Sequence, residues 1–234
     1  MTIFIMFLSC GKIKFTDSRN NFIDQKMSKS LIDYASINPG ANTFNSSLET
    51  NRCVIGLDRD GVINQDLGTY CFRPEDFDPI GGSLEAVAFL RNKGYKIVII
   101  TDQGGIEKGI YTTDDVDTTH NHMLQLLGKA GCPNINAIYY STSSRKEDYY
   151  AKPNIGMFTR CETEHPTIKF KGGYYVGDKI KDLKAAIKIG ARPILVRTGY
   201  GAETEKELRK YTYREIKRKT LIYNNLAEFA STLA

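Results

Sequence analysis

Two aspartates stand where a short apolar stretch ends. In "CVIGLDRDGVIN" the apolar residues stop at Leu57, and Asp58, Arg59 and Asp60 follow directly. Carboxylates crowded together repel one another, and each raises the pKa of the other. A hard divalent cation held by carboxylate oxygens removes that repulsion, and Mg²⁺ is the expected ion. The motif therefore indicates a site where a cation and an anionic substrate meet.

Polar residues also end the other apolar runs. The second run stops at Thr101 and Asp102, and the fourth stops at Asp178, with Asp182 one helical turn later. Open parallel sheets place their sites beyond the carboxyl ends of the strands, so these residues are expected to converge. Lys152 in "AKPNIGMF" can balance the charge of a bound phosphate, and Thr101 offers a hydroxyl donor.

Each of these motifs, taken alone, has an ordinary structural explanation. Asp-Gly after a strand is usually a turn, and Lys-Pro before a helix is common. Their order along the chain, each following a predicted strand or opening a helix, favours catalysis.

The elements that would position these residues alternate between short apolar runs and amphipathic segments of helical length. The predicted strands are "RCVIGL", "YKIVIIT", "NAIYYS", "GYYVGD", "RPILVRT" and a weaker "TLIY". Among the helices, "SLEAVAFLRNKG" has Ser83 as a candidate N-cap and Gly94 as a stop signal. The pattern predicts an α/β protein: a three-layer, Rossmann-like parallel sheet with helices on both faces. No insertion is long enough to form a large cap domain.

The first 49 residues do not follow this pattern. They are rich in Asn and Ser, as in "NPGANTFNSS", and are interpreted as an extension of uncertain order before a domain that spans residues 50–234. The first stretch lacks the features of a secretory signal, and Met27 is an alternative start.

Composition limits the class of protein. The 234 residues contain no apolar run near the roughly 20 residues that cross a bilayer. Five cysteines without a CxxC pair suggest reduced thiols and a cytoplasmic location. The net charge of +5 suits a phosphorylated substrate, although the basic run "YREIKRK" is interpreted as a solvated helix face. A monomer or weak dimer is expected.

Four segments in this order resemble a known family. "LDRDGVIN", "ITDQGGIEKGIYT", "AKPNIGMF" and "VGDKIKDLKAAIKIGARPILVRTG" are similar to the motifs of the haloacid dehalogenase superfamily of aspartate-nucleophile phosphohydrolases. DRDGxxN and VGDKxxDxxAA resemble the branch that holds D-glycero-D-manno-heptose 1,7-bisphosphate 7-phosphatases and histidinol-phosphate phosphatases. The resemblance covers the chain from about Cys53 to its end.

The resemblance implies roles for individual residues. Asp58 would be the nucleophile that forms an aspartyl-phosphate, and Asp60 the general acid and base. Mg²⁺ would be held by Asp58, Asp178 and the backbone carbonyl of Asp60. Thr101 and Lys152 would hold the transferring phosphoryl oxygens. The expected substrate contacts are Arg59, Asp102, Gln103, Gly104, Arg145, Lys146 and Lys179, and the supporting residues are Gly61, Asn64 and Asp182.

The chain departs from the pattern of its branch in three ways. The usual zinc-binding loop of Cys and His is replaced by "YYSTSSRKEDYYAKP", so zinc is not expected. Without a metal, that loop should be more mobile unless Tyr149 and Tyr150 pack it down. Ala151 stands where the branch often has Arg, so a contact is missing or is supplied by Arg145 or Lys146. Asp102 replaces a usual Asn.

The resemblance implies hydrolysis of a small phosphorylated sugar, such as D-glycero-D-manno-heptose 1,7-bisphosphate, or of histidinol phosphate. One alternative is a polynucleotide 3′-phosphatase, which the second motif and the basic surface would suit but the DRDGVIN motif does not. Nucleic acid and membranes are therefore not the expected partners. The other alternative is a non-catalytic protein that binds a phosphorylated metabolite.

Overall fold

The computed structural model describes residues 53–66, 68–132 and 134–233, and the backbone of two earlier strands. The chain divides into two compact units, Met1–Pro39 and Gly40–Ala234. In the first unit, β1 (Ile5–Ser9) pairs with β2 (Lys12–Thr16) in antiparallel register, with Ile5 opposite Thr16. The loop "NPGANTFNSS" and the predicted domain boundary near residue 50 lie outside the described residues.

The second unit contains a six-stranded parallel sheet, as predicted. Its strands are β3 (Val54–Leu57), β4 (Lys96–Asp102), β5 (Ala137–Ser141), β6 (Tyr174–Gly177), β7 (Arg192–Val196) and β8 (Leu221–Tyr223). All six predicted apolar runs form these strands, including the weakest, "TLIY".

The strand order is β5-β4-β3-β6-β7-β8. The chain moves outward from β3 to β5, then returns to the other side of β3 and continues from β6 to β8. In such sheets the crevice for a ligand lies where this direction reverses, outside the carboxyl ends of the strands. Here that point is between β3 and β6, where Leu57 is in register with Val176.

Seven helices connect the described strands or follow them. They are α1 (Ser83–Asn92), α2 (Thr113–Lys129), α3 (Gly156–Glu164), α4 (Ile180–Lys188), α5 (Gly201–Glu207), α6 (Arg214–Lys219) and α7 (Leu226–Ser231). α1 packs against α2 and α7, whereas α4 packs against α6. Helices thus cover both faces of the sheet, as expected.

The ends of α1 test two local predictions. Gly94 adopts a left-handed conformation with φ of 87°, which agrees with its predicted role in ending the helix. The prediction that Ser83 caps the helix is wrong, because Gly82 occupies the cap position and Ser83 is the first helical residue. The Ser83 hydroxyl instead donates a hydrogen bond to the Val62 carbonyl, 2.9 Å away.

The face covered by α3 and α4 has an aromatic centre. Phe158 packs edge-on against Phe170 and Tyr175, with ring centroids 5.1 and 5.0 Å apart. Val98 and Ile100 of β4 join this core, while Ile97 and Ile99, which alternate with them, are buried on the opposite face. Tyr175 therefore links the hydrophobic core to the edge of the sheet where the polar residues gather.

The basic segment near the end of the chain forms α6. Its charged side chains are exposed, and Ile216 packs on Leu183, Leu195 and Leu208. The solvated helix face expected from the sequence is present. In the described part of the chain, no helix has both the length and the apolar composition needed to cross a membrane.

The aromatic core generates a stability prediction. Phe170→Ala should lower the free energy of unfolding by about 3–5 kcal/mol, because it leaves a cavity among residues that cannot fully collapse into it. Urea unfolding measures this change. Tyr211→Ala is the matched control, since Tyr211 is 85% exposed and should change stability by less than about 0.5 kcal/mol. Similar losses in both variants would contradict this description of the core.

Candidate active site

Asp58 lies at the point where β3 and β6 meet. Its backbone N–H donates to the Val176 carbonyl at 2.9 Å, which extends the pairing of the two strands by one step. The side chain is buried. One carboxylate oxygen, Oδ1, accepts from the Arg59 backbone N–H at 2.8 Å, and the other lies 2.9 Å from the ammonium of Lys152.

Lys152 is completely buried, and its ammonium has four partners. Nζ lies 2.9 Å from Asp58 Oδ2 and 2.8 Å from Asp182 Oδ1, and it donates to the Ile100 carbonyl and the Tyr175 hydroxyl at 3.2 and 3.1 Å. The Tyr175 hydroxyl donates in turn to the Ile100 carbonyl at 2.8 Å. This network unites residues of β4, β6 and α4 with Asp58, which directly follows β3.

Electrostatics keep both members of the Asp58–Lys152 pair charged. Burial alone would raise the pKa of Asp58, but the positive charges of Lys152, Lys181 and Lys179 outweigh it and lower the pKa. Burial alone would lower the pKa of Lys152, but Asp182 and Asp58 raise it well above its usual value. Asp58 is therefore an ionised carboxylate in a site from which water is largely excluded.

Asp58, Asp178 and Asp182 form a cluster that could hold a metal ion. One carboxylate oxygen of each lies within 4.8 Å of the others. Asp178 Oδ2 accepts from the Tyr200 backbone N–H at 2.8 Å, but the buried Oδ1 has no hydrogen-bond partner. An unpartnered buried carboxylate oxygen beside two further carboxylates fits a hard divalent cation such as Mg²⁺.

Asp60 occupies different surroundings, although it is only two residues from Asp58. Its carboxylate accepts hydrogen bonds from Arg59 Nε and Nη2, each at 3.1 Å, from Asn64 at 2.9 Å and from Gln103 at 3.2 Å. The side chain remains 23% exposed. The Asp60 carboxylate is thus engaged by its own donors and is not part of the three-carboxylate cluster, and the metal contact of its backbone carbonyl stays a prediction.

The Arg59 guanidinium does not have the position expected of a substrate contact. Its side chain is fully buried, and besides Asp60 it donates to the Cys71 carbonyl at 2.6 Å. The physical reason is that Arg59 points into the protein between the first motif and the loop that carries Cys71. Arg59 thus braces Asp60.

Gln103 connects the second motif to the first. Its amide nitrogen donates to Asp60 and, at 3.1 Å, to the buried Thr101 hydroxyl. Its amide oxygen accepts from the Tyr111 hydroxyl at 3.0 Å. Gly104 follows directly, and a side chain there would collide with Ser144.

Two glycines close over Asp178. Gly61 has a φ of +85°, and a Cβ at this position would collide with the Asp178 carboxylate. Gly199, with a φ of +56°, approaches Asp178 from the loop after β7, and the Thr198 hydroxyl donates to the Gly61 carbonyl at 2.7 Å. Only glycine fits these positions because both the conformation and the space exclude a side chain.

Two other predicted substrate contacts form ion pairs at the edge of the site. The Lys179 ammonium donates to Asp66 at 2.7 Å and lies 4.7 Å from the centre of the Tyr200 ring. The Asp102 side chain is only 3% exposed and pairs with Lys181 at 2.6 Å.

The segment that replaces the zinc loop is held by hydrogen bonds. The Asn154 side chain donates to the carbonyls of Lys146 and Asp148, each at 2.8 Å. Arg145 pairs with Glu107 at 2.5 Å. Tyr149 and Tyr150 are exposed, but their rings pack edge-on with centroids 5.4 Å apart, and the Tyr149 ring lies against Gly156. A substrate contact of Arg145 or Lys146 remains a prediction.

Sequence reasoning missed several residues of this site. Tyr175 was interpreted only as part of a strand, although its hydroxyl contacts Lys152. Lys181, Tyr111 and Gly199 were also not singled out. A signal for Gly199 was available, because a glycine in a loop just beyond a strand often marks a close approach of the backbone to another group.

The chain is similar to known phosphatases in sequence and in fold. The family model described as polynucleotide kinase 3 phosphatase matches residues 62–192. The chain is 36% identical over 177 residues to a D-glycero-beta-D-manno-heptose-1,7-bisphosphate 7-phosphatase of Pseudomonas putida, covering 76% of this chain and 97% of that protein. A second relative with that name, from Pseudomonas aeruginosa, is 33% identical, with coverages of 78% and 98%.

A solved structure extends the likeness to three dimensions. It is the D,D-heptose 1,7-bisphosphate phosphatase of B. bronchiseptica complexed with magnesium and phosphate, with a TM-score of 0.70, 30% identity and coverages of 78% and 98%. Fold, site and relatives together define a phosphatase of the haloacid dehalogenase type. Within that superfamily the chain belongs to the family that contains the D-glycero-D-manno-heptose 1,7-bisphosphate 7-phosphatases.

The carboxylate cluster generates a prediction about pH. Burial, partly offset by Lys179, and the neighbouring carboxylates of Asp182 and Asp58 raise the pKa of Asp178 to about 8. In the metal-free protein the folded state therefore binds more protons than the unfolded state between the usual pKa and this value. The Asp178 contribution to stability is then lost as the pH rises, by at most about 1.4 kcal/mol per pH unit.

Urea unfolding with a chelator at about pH 5 and about pH 7.5 measures this effect. The parent protein should lose stability relative to Asp178→Asn across this range, because the variant cannot ionise at this position. Excess Mg²⁺ should reduce the difference, since a cation favours the ionised carboxylate. Parallel pH profiles of parent and variant would contradict the raised pKa.

Proposed function

We propose that this phosphatase hydrolyses D-glycero-D-manno-heptose 1,7-bisphosphate in a Mg²⁺-dependent reaction through an aspartyl-phosphate at Asp58. The observation that carries the mechanism is that the carboxylates of Asp58 and Asp60 have different surroundings. Asp58 forms an ion pair with the Lys152 ammonium and lies beside Asp178 and Asp182. Asp60 instead accepts hydrogen bonds from Arg59, Asn64 and Gln103. Two carboxylates with different surroundings suit a nucleophile and an acid-base residue.

In the first half-reaction, an oxygen of Asp58 attacks phosphorus and the bond from phosphorus to the ester oxygen breaks. Asp60 donates its proton to the leaving alkoxide, so that an alcohol departs. The Lys152 ammonium offsets negative charge at the phosphoryl group, and the Thr101 hydroxyl supplies a donor. In the second half-reaction, Asp60 takes a proton from water, which attacks phosphorus and releases phosphate and the Asp58 carboxylate.

Asp58, Asp178 and the Asp60 backbone carbonyl would hold Mg²⁺, with Asp182 beside them. When bound, the ion supplies positive charge that neutralises phosphoryl oxygens and lets an anionic nucleophile approach an anionic ester. The unpartnered Oδ1 of Asp178 supports this assignment. The protein's own task is to keep Asp58 ionised and immobile, which it does through Lys152 and the Arg59 backbone N–H.

The substrate proposal rests on two relatives that are named heptose bisphosphate phosphatases. Their alignments with this chain cover 97% and 98% of their own lengths. Histidinol phosphate, the other substrate expected from the sequence, has no support from them. The family model described as polynucleotide kinase 3 phosphatase makes a 3′-phosphorylated polynucleotide a second candidate substrate. The exposed basic face of α6 is the feature of this chain that such a substrate could use.

The mechanism predicts different defects for the two aspartates. Asp58→Asn should abolish turnover of every ester while the fold persists, because the amide is nearly isosteric but is a poor nucleophile. Asp60→Asn should slow alkyl phosphates much more than aryl phosphates, because a phenolate leaves without full protonation. Steady-state kinetics on one substrate of each kind measures both effects. Turnover by Asp58→Asn, or equal losses in Asp60→Asn, would exclude the assigned roles.

The substrate assignment predicts a ranking. With Mg²⁺ present, kcat/KM should be higher for heptose 1,7-bisphosphate than for histidinol phosphate or a 3′-phosphorylated oligonucleotide. Chelation should stop turnover of all three, and Mg²⁺ should restore it. A preference for the oligonucleotide that falls steeply with salt would instead favour the polynucleotide function. Lys217→Ala in α6 should then weaken only the oligonucleotide reaction.

A further inference from the structure

One buried carboxylate beside the active site has no part in the mechanism described above. The Asp102 side chain is only 3% exposed, and both of its oxygens are bound. Oδ1 accepts from the Lys152 backbone N–H at 3.1 Å, and Oδ2 accepts from the Lys181 ammonium at 2.6 Å. These two contacts join β4 to the segment that carries Lys152 and to the first turn of α4.

Lys181 is the cation that compensates the negative charge of the buried Asp102 carboxylate. A buried ionised group is costly unless it is paired, and removal of one partner leaves the other uncompensated. Lys181 enters from the rim, where its side chain is 32% exposed, and reaches inward to Asp102. The next residue along the helix is Asp182, which binds the Lys152 ammonium. Two consecutive residues of α4 thus act on opposite ends of Lys152, one through Asp102 and the other directly.

We propose that Lys181 is a positioning residue for phosphoryl transfer, which acts by pairing with Asp102 and so keeps the Lys152 ammonium between Asp58 and Asp182. Without Lys181, the Asp102 carboxylate becomes an uncompensated anion that competes for Lys152. The field of Asp102 already acts on Lys152, and that of Lys181 acts on Asp58, so the two pairs are electrostatically linked. The proposal concerns the phosphatase reaction itself and does not depend on which ester is the natural substrate.

A double-mutant cycle tests the proposal with a generic aryl phosphate as substrate. Lys181→Met should lower kcat by roughly tenfold and leave KM within about twofold, because the transferring group is affected rather than ground-state binding. In an Asp102→Asn background, the same Lys181→Met change should lower kcat by less than about twofold, since no buried charge is then left unpaired. Lys181→Arg should stay close to the parent.

The control is Lys184→Met on the same helix. Its ammonium lies over the Tyr213 ring, 5.3 Å from the centroid, and away from Asp102, so kcat should not change. If Lys181→Met does not fold, as judged by thermal unfolding, the Arg and Gln variants at Lys181 provide the same contrast of charge.

Two outcomes would overturn the proposal. The first is a tenfold loss that persists in the Asp102→Asn background, which would show that Lys181 acts independently of Asp102. The second is a rise in KM, or in the inhibition constant of inorganic phosphate, with kcat unchanged, which would show that Lys181 binds the anion directly. Either result leaves the assignment of Asp58 and Asp60 intact, since that is tested by their own variants.

Discussion

The fully buried ammonium of Lys152 is the constraint on which the site depends. A lone buried cation would be strongly unfavourable, and so would each of the carboxylates around it. Here the opposing costs compensate, because Nζ lies between Asp58 and Asp182 and also donates to a backbone carbonyl and a tyrosine hydroxyl. The partners come from the residue that follows β3, and from β4, β6 and α4. The ammonium therefore fixes the relative positions of these elements as well as the charge of the nucleophile.

The aromatic core supports this arrangement from below. Tyr175 is held by Phe158 on the core side, and a Cβ on Gly56 in the adjacent strand would press on its ring. Its hydroxyl emerges at the carboxyl end of the sheet, where it binds both Lys152 and the Ile100 carbonyl. Hydrophobic packing thus fixes the position of the Tyr175 hydroxyl in the active site. A substitution in the core that displaces Tyr175 should consequently also displace the Lys152 ammonium.

The sequence predicted the sheet and the central carboxylates because both depend on local pattern. Apolar runs of strand length locate the strands, and polar residues at their ends converge for topological reasons. What it could not predict are contacts between distant segments. Gln103 reaches Asp60 across 43 positions and Lys181 reaches Asp102 across 79. The Ser83 cap failed for the same reason, since the Val62 carbonyl offered its hydroxyl a tertiary partner. Arg59 was expected to contact the substrate because nothing in "DRDG" reveals which way its side chain turns.

The two glycines that close over Asp178 limit how this part of the site can change during evolution. On that side, Gly61 and Gly199 pack so tightly that any side chain would strike the carboxylate or the opposing backbone. Selection cannot enlarge or reshape this wall by single substitutions without disturbing Asp178 itself. Exposed side chains outside this wall, such as Tyr70, Tyr149 and Tyr150, carry no such restriction. Evolution should therefore accept substitutions at exposed positions such as these far more readily than any substitution at Gly61 or Gly199.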